Sequence, residues 1–174
     1  CPMAATVEPT VCTAGTWCPT GTTVALPCDA GTWSNATGIS DKSECQPCPV
    51  GSECSVGATT PQPCAPGTYS DAQGQASCVL CAPGSFQAAI GSTSCAACSL
   101  GSYCPEGASA PISCPAGTVG QRRGLSARSQ CSLCPLGHWS KSGQAVACDQ
   151  GSYQPILGAS SQGACKECPD HSPT

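Results

Sequence analysis

A small disulfide-rich repeat array is the fold class this sequence predicts. It should be mostly coil and turns with short β-hairpins, drawn out as an elongated rod with almost no helix. Three observations predict it. Cysteine supplies 19 of the 174 residues, above the roughly 8–10% that marks a disulfide scaffold. Gly (20) and Pro (17) punctuate the chain too often for long helices. A short motif, C-x-x-G-[ST]-aromatic, also recurs from end to end.

The motif accounts for every aromatic residue. Trp17, Trp33, Tyr69, Phe86, Tyr103, Trp139 and Tyr153 each sit five residues after a cysteine and two after a glycine. Cys48 and Cys114 keep the glycine but carry Glu53 and Val119 at the aromatic place. Nine units therefore begin at Cys12, Cys28, Cys48, Cys64, Cys81, Cys98, Cys114, Cys134 and Cys148. A glycine two residues before the aromatic predicts a turn with φ > 0. The proline that often follows the leading cysteine sets φ near −65°. The aromatic is expected over a disulfide or the neighbouring unit, as the small core of its own unit.

Spacing sorts the units. Those led by Cys12, Cys48 and Cys98 close six residues on, at Cys18, Cys54 and Cys104. Those led by Cys64 and Cys81 read C-x13-C, and those led by Cys28, Cys114 and Cys148 read C-x16-C. The three extra residues of the last group fall between a second glycine (Gly38, Gly124 or Gly158) and the closing cysteine. Local closure is the simplest connectivity, one of many the cysteine count allows. It pairs Cys12–Cys18, Cys28–Cys45, Cys48–Cys54, Cys64–Cys78, Cys81–Cys95, Cys98–Cys104, Cys114–Cys131 and Cys148–Cys165. The unit led by Cys134 has Ser140 where its second cysteine should be. Cys134 is then unpaired or bridged to another chain, and its unit is expected to be the loosest. The repeats group as 12–47, 48–80, 81–113, 114–147 and 148–167. Residues 1–11 read as the end of one module, with Cys1 paired upstream, and 168–174 as the start of another.

Composition excludes much else. Aromatics are 4% of the chain and Met occurs once, too few large side chains for a conventional core at roughly 1.5–3 kcal/mol each. A disulfide closing about 15 residues contributes about 3 kcal/mol in the chain-entropy model, and such bonds place the chain outside the cell or at its surface. The sequon Asn35-Ala36-Thr37 fits that compartment. A net charge of −4 gives no reason to expect a nucleic-acid partner, and there is no apolar run for membrane insertion in this segment.

Segments such as CAPGTYSDAQGQASCVLCAPGSFQAAIGSTSCAAC resemble the ephrin-receptor-like cysteine-rich repeat, itself similar to tumour necrosis factor receptor modules. The interposed form CSLGSYCPEGASAPISC resembles the arrays of protist and algal surface proteins. That resemblance implies a role as an elongated, glycosylated spacer or filament subunit, mastigonemes being one setting. The implied partners are other extracellular chains, including further copies, and glycans.

Five C-x-x-C pairs (Cys45/Cys48, Cys78/Cys81, Cys95/Cys98, Cys131/Cys134, Cys165/Cys168) suggest zinc. They fall at unit junctions, however, and leave the cysteines of the short units unexplained. Neither metal nor cofactor is expected. His138 and His171, the two histidines, have no carboxylate or nucleophile at catalytic spacing, so no enzyme is expected. Asp29 and Asp149 lack a calcium-loop pattern. Arg122, Arg123, Arg128 and Lys141 are four of the six basic residues and form a candidate patch for an anion or an acidic partner; a solvated loop is the plainer account. Thr59-Thr60-Pro61 suits O-glycans or an ordinary turn. Two function classes follow: a structural spacer of a surface or filament protein, or a protein-binding ectodomain module.

A compact domain of this length has a radius of gyration of about 16 Å. Small-angle scattering of the chain should exceed that value; a value near it would overturn the rod.

Overall fold

A computed structural model describes residues 11–22 and 24–169. Among them there is no α-helix. The secondary structure is nine two-stranded antiparallel ladders and three 3-10 turns. Each ladder belongs to one unit. Outside the unit led by Cys134, it pairs the two residues after the motif glycine with the two preceding the next leading cysteine, as in Thr16–Trp17 with Leu26–Pro27 and Ser102–Tyr103 with Ile112–Ser113. Eight disulfides close Cys12–Cys18, Cys28–Cys45, Cys48–Cys54, Cys64–Cys78, Cys81–Cys95, Cys98–Cys104, Cys114–Cys131 and Cys148–Cys165. These are the pairs of the local scheme. The two cysteines of each C-x-x-C at 45/48, 78/81 and 95/98 belong to different bonds.

The motif makes a β-turn whose parts are all used. In the first unit Thr16 N donates to the Thr13 carbonyl at 3.1 Å, and the Thr16 hydroxyl donates to the same oxygen at 2.7 Å. Gly15, third in that turn, has φ 79°, the value a type II turn requires there. The same double donation recurs at Thr32, Ser85, Thr118 and Ser152. It explains why a hydroxyl residue follows the glycine.

Successive units are joined through the backbone of this turn. The N–H of each leading cysteine from Cys28 on, and of Cys168, donates to the motif-glycine carbonyl of the unit before, at 2.8–2.9 Å. The glycine's own N–H donates forward, to the carbonyl six residues past the next leading cysteine: Gly15 to Ser34, Gly31 to Cys54, Gly84 to Cys104. In seven units the second glycine donates back to the leading cysteine of the unit before, as in Gly57 to Cys28 and Gly107 to Cys81, both 2.8 Å.

The chain forms two compact bodies. One holds the described residues as far as Ala65 with Tyr69–Val79 and Ala89–Ser94; the other holds Pro66–Thr68, Leu80–Ala88 and the described residues from Cys95 on. In the first body, Trp17 packs on the Cys28–Cys45 disulfide and Ile39. In the second, Phe86 packs on Cys98–Cys104 and Ala108. The aromatic of one unit thus covers the disulfide of the next. Val119, at an aromatic place, is 2% exposed, and Leu125 in the same unit is 1% exposed, so aliphatic side chains are buried in the unit that lacks its ring.

The three residues that lengthen the C-x16-C units are the 3-10 turns Lys42–Glu44, Arg128–Gln130 and Gln162–Ala164, each ending at the closing cysteine. In the first, Asp41 Oδ1 accepts from Ser43 N at 2.8 Å, and Glu44 Oε1 accepts from Ser40 N and Asp41 N at 2.9 and 3.0 Å. Gln130 Oε1 plays the part of Glu44 in the second, accepting from Ser126 N and Ala127 N.

Two glycines of one unit separate the two demands on this backbone. Gly31 and Gly38 have φ 85° and 75°. A Cβ at Gly31 would come closer than 3.0 Å to the Gly74 carbonyl, whereas one at Gly38 would meet nothing within 4 Å. Gly38→Ala should cost about 1–2 kcal/mol, the left-handed penalty alone. Gly31→Ala should cost roughly 2–5 kcal/mol, since overpacking adds its own 1–3. Denaturant titration of both variants reads the difference; equal costs would remove the packing argument.

Candidate functional site

The unit led by Cys134 departs furthest from the repeat. Its second glycine, Gly143, stands two residues nearer the next unit than its counterpart Gly57 does. Strands His138–Lys141 and Gln144–Ala147 pair over four residues each, twice the length of the other strands. Ser142 and Gly143 join them with φ 49° and 73°, the two positive values of a type I′ hairpin turn. Ser140 is buried, and its Oγ accepts the Gly117 N–H at 2.7 Å, while its own N–H donates to the Ala159 carbonyl at 2.9 Å. Elsewhere a main-chain carbonyl takes that glycine N–H. Here the serine side chain does, because the serine backbone lies in the longer ladder.

Cys134 is free and 0% exposed, and burial pushes its thiol up. A bridge to another chain requires a sulfur at the surface, so the intermolecular alternative fails on burial. In this unit the extended ladder and the Ser140 hydrogen bond stand where the disulfide would be. Cys168 is free and exposed. Cys1 lies outside the described residues.

The second body also holds the basic side chains. Arg122, Arg123, Arg128 and Lys141 are all exposed, and none is in an ion pair with a described residue. Gly120 N donates to the Gly143 carbonyl at 2.9 Å. That bond ties the loop carrying Arg122 and Arg123 to the turn that follows Lys141. A shallow groove of about 300 Å3, lined by Leu100, Val119, Gly120, Gln121, Gln144 and Ala145, lies beside this junction.

The first body is acidic. Asp29 pairs with Lys42. Asp41, Glu44 and Asp71 are exposed without such a partner among the described residues. Glu53 stands at an aromatic place, half-buried, and its Oε2 accepts the Cys78 N–H at 2.7 Å. A carboxylate hydrogen bond to the closing cysteine of the next unit there does the joining that an aromatic does elsewhere. Asn35 and Thr37 are exposed coil, open to a glycosyl group.

The comparison with known families falls on the middle of this array. Residues 67–114 match the family described as tyrosine-protein kinase ephrin type A/B receptor-like. Residues 67–114 carry an ephrin-receptor-like cysteine-rich repeat. No curated protein matches it. The matched segment runs from the turn of one unit through three further leading cysteines, and the same turn, closure and inter-unit hydrogen bonds recur outside it. An ephrin-receptor-like module with this disulfide content is of extracellular, protein-interaction type. No helix of the described residues is long and apolar enough to cross a membrane.

Beside the ephrin-receptor-like frame the remaining candidates are sparse. The His138 ring Nδ1 lies 2.9 Å from the Leu136 carbonyl, within its own turn. His171 lies outside the described residues. Asp149 Oδ2 accepts from Gln162 Nε2 at 2.7 Å, a bond within one unit. Sequence reasoning missed the joining roles of Glu53 and Ser140. For Ser140 the signal was present: two residues fewer before the next unit, a Ser-Gly pair and a polar-apolar alternation around it.

Ser140→Ala leaves the Gly117 N–H buried without an acceptor, at a cost of about 1–3 kcal/mol. Hydrogen exchange should show the Gly117 amide losing protection in the variant. Alkylation of Cys134 should be slow in the native protein and fast only after denaturation.

The acidic 3-10 turn carries an internal pH control. Glu44 is held below its ordinary value of 4.5 by the N–H donors of Ser40 and Asp41, and Asp41 lies below 3.8 through its hydrogen bonds to Ser43. Both values are depressed on folding, so the turn's stabilisation is present above the unfolded carboxylate range and is lost as pH falls through the folded values. The Ser40 and Asp41 amide resonances should titrate with midpoints below 4.5. Ser126 and Ala127, held by the neutral Gln130, should show no such step.

Proposed function

We propose that the chain is a structural or spacer segment of a long extracellular glycoprotein, a surface or filament protein of the mastigoneme-like kind in an alga or protist, and that it has no catalytic activity. The observation that carries this reading is how the side chains are used. Sixteen described cysteines close units, Trp17 and Phe86 cover the disulfide of the next unit, the motif hydroxyls close turns, and the substitutes Glu53 and Ser140 bond a neighbouring unit. Units joined through their backbones are a means of setting length and orientation. Exposed Asn35 supplies a glycan attachment point of the kind a surface glycoprotein uses.

A second reading, a protein-binding ectodomain module of a receptor or adhesin, is favoured by the receptor-like family match and by the unpaired Arg122, Arg123 and Arg128. The two separate on location. Labelled antibody against the native chain should decorate isolated surface filaments or cell-wall material along their length. Peptide mass spectrometry of that material should find Asn35 glycosylated. Labelling confined to isolated receptor-like sites at the plasma membrane, with an unmodified Asn35, would favour the binding module.

A further inference from the structure

Charge is distributed unevenly along this chain. Between Glu106 and Asp149 there is no acidic side chain at all, yet Arg122, Arg123, Arg128 and Lys141 fall in that interval. All four are exposed and outside any described ion pair. The described part of the first body has Lys42 as its basic residue against Asp29, Asp41, Glu44, Glu53 and Asp71. An acidic first body and a stretch of the second body that carries basic side chains alone make the chain complementary to itself.

We propose that the basic face of the second body docks the acidic first body of a second copy of this chain, a head-to-tail contact. The contact is heterologous: the two surfaces differ, and each copy keeps one of each free, so the association propagates into an open line unless it closes into a ring. Arg122 and Arg123 project from a loop fixed to the hairpin of Lys141 by the Gly120–Gly143 hydrogen bond, so three of the four cations are presented from one anchored junction. The groove bounded by Leu100 and Val119 at that junction offers apolar area for an uncharged side chain of the arriving copy. On the acidic side, Asp41 is held ionised by the Ser43 hydroxyl and N–H, and Glu44 by the main-chain donors of Ser40 and Asp41. They stay charged where ordinary carboxylates begin to protonate. Arginine suits the receiving face because its guanidinium fork matches a carboxylate bidentately. An acidic polysaccharide would satisfy the same cations. The second copy is preferred because the first body carries the complementary charge. The proposal names a partner for the structural reading and rests on it.

Sedimentation velocity of the purified chain over a wide concentration range tests the contact. Association is expected at low salt and should weaken about tenfold or more at high salt, where the Debye length shrinks toward about 3 Å. An Arg122→Glu, Arg123→Glu, Arg128→Glu variant should stay monomeric, and so should an Asp41→Lys, Glu44→Lys, Asp71→Lys variant. Mixing the two variants should restore association, because each supplies the sign the other lost; disulfide mapping confirms that both are folded. A chain that is monomeric at every concentration overturns the proposal, as does association indifferent to salt or to the arginine substitutions. Binding of a sulfated polysaccharide through these arginines without self-association overturns it in favour of a glycan. Failure here is separable from failure of the structural reading, which is judged by where the native chain lies.

Discussion

The motif glycine holds this array together. Its N–H and C=O are both spent on the following unit, and its α-carbon sits against the backbone of the unit after that. Gly15, Gly31, Gly51, Gly67, Gly84 and Gly117 each approach a carbonyl two units on so closely that a Cβ would clash. Gly101 makes the equivalent approach to the Ser142–Gly143 turn. Such spacing has a physical origin. Short two-residue ladders cannot stand alone in water, so each unit's orphan backbone groups must be satisfied by its neighbours. Only a residue without a side chain lets the chains come near enough.

Disulfides then do a separate task. They close each unit on itself, whereas the glycine hydrogen bonds and the aromatic-on-disulfide contacts link one unit to the next. The division shows at the unit led by Cys134, where closure is absent and linkage is intact. Cys134 N still donates to Gly117, and its carbonyl still accepts from Gly158. Lengthening the hairpin from two to four residues adds main-chain hydrogen bonds, and Ser140 takes over the glycine N–H. The sulfur that has lost its partner stays interior. A buried thiol with a raised pKa is chemically quiet, so the missing bond marks a local redesign of the unit and not a reactive site.

Function in such a chain resides in what the repeat leaves free. The motif consumes the aromatics, so side chains of the usual hot-spot kind are part-buried in the frame, with Tyr153 the exposed exception among the described residues. Charged residues at places the motif does not constrain are what remain: the arginines past Gly120, and the carboxylates around the first 3-10 turn. Lys42 and Arg128 occupy the same position in that turn in two different units, and Glu44 and Gln130 likewise. One scaffold thus presents acidic and basic faces by substitution alone, with no change of backbone.

Much of this was legible in the sequence, and particular residues show why. Cysteine and glycine spacing is a local property, so the unit boundaries, the closure of Cys28 on Cys45 or Cys81 on Cys95, and the turn at Gly67 all follow from it. Even the three-residue lengthening before Cys45, Cys131 and Cys165 was placed correctly along the chain, though its 3-10 form was not foreseen. What the tertiary structure alone decided depends on neighbours one and two units away. It decided that the Glu53 carboxylate substitutes for a ring by reaching Cys78, and that Val119 and Leu125 are each buried. It decided that Cys134 faces inward while Ser140 reaches Gly117. Spacing along a chain specifies which backbone must turn. Whether a given side chain is buried or exposed is set by contacts between units far apart in sequence, and those are made only on folding.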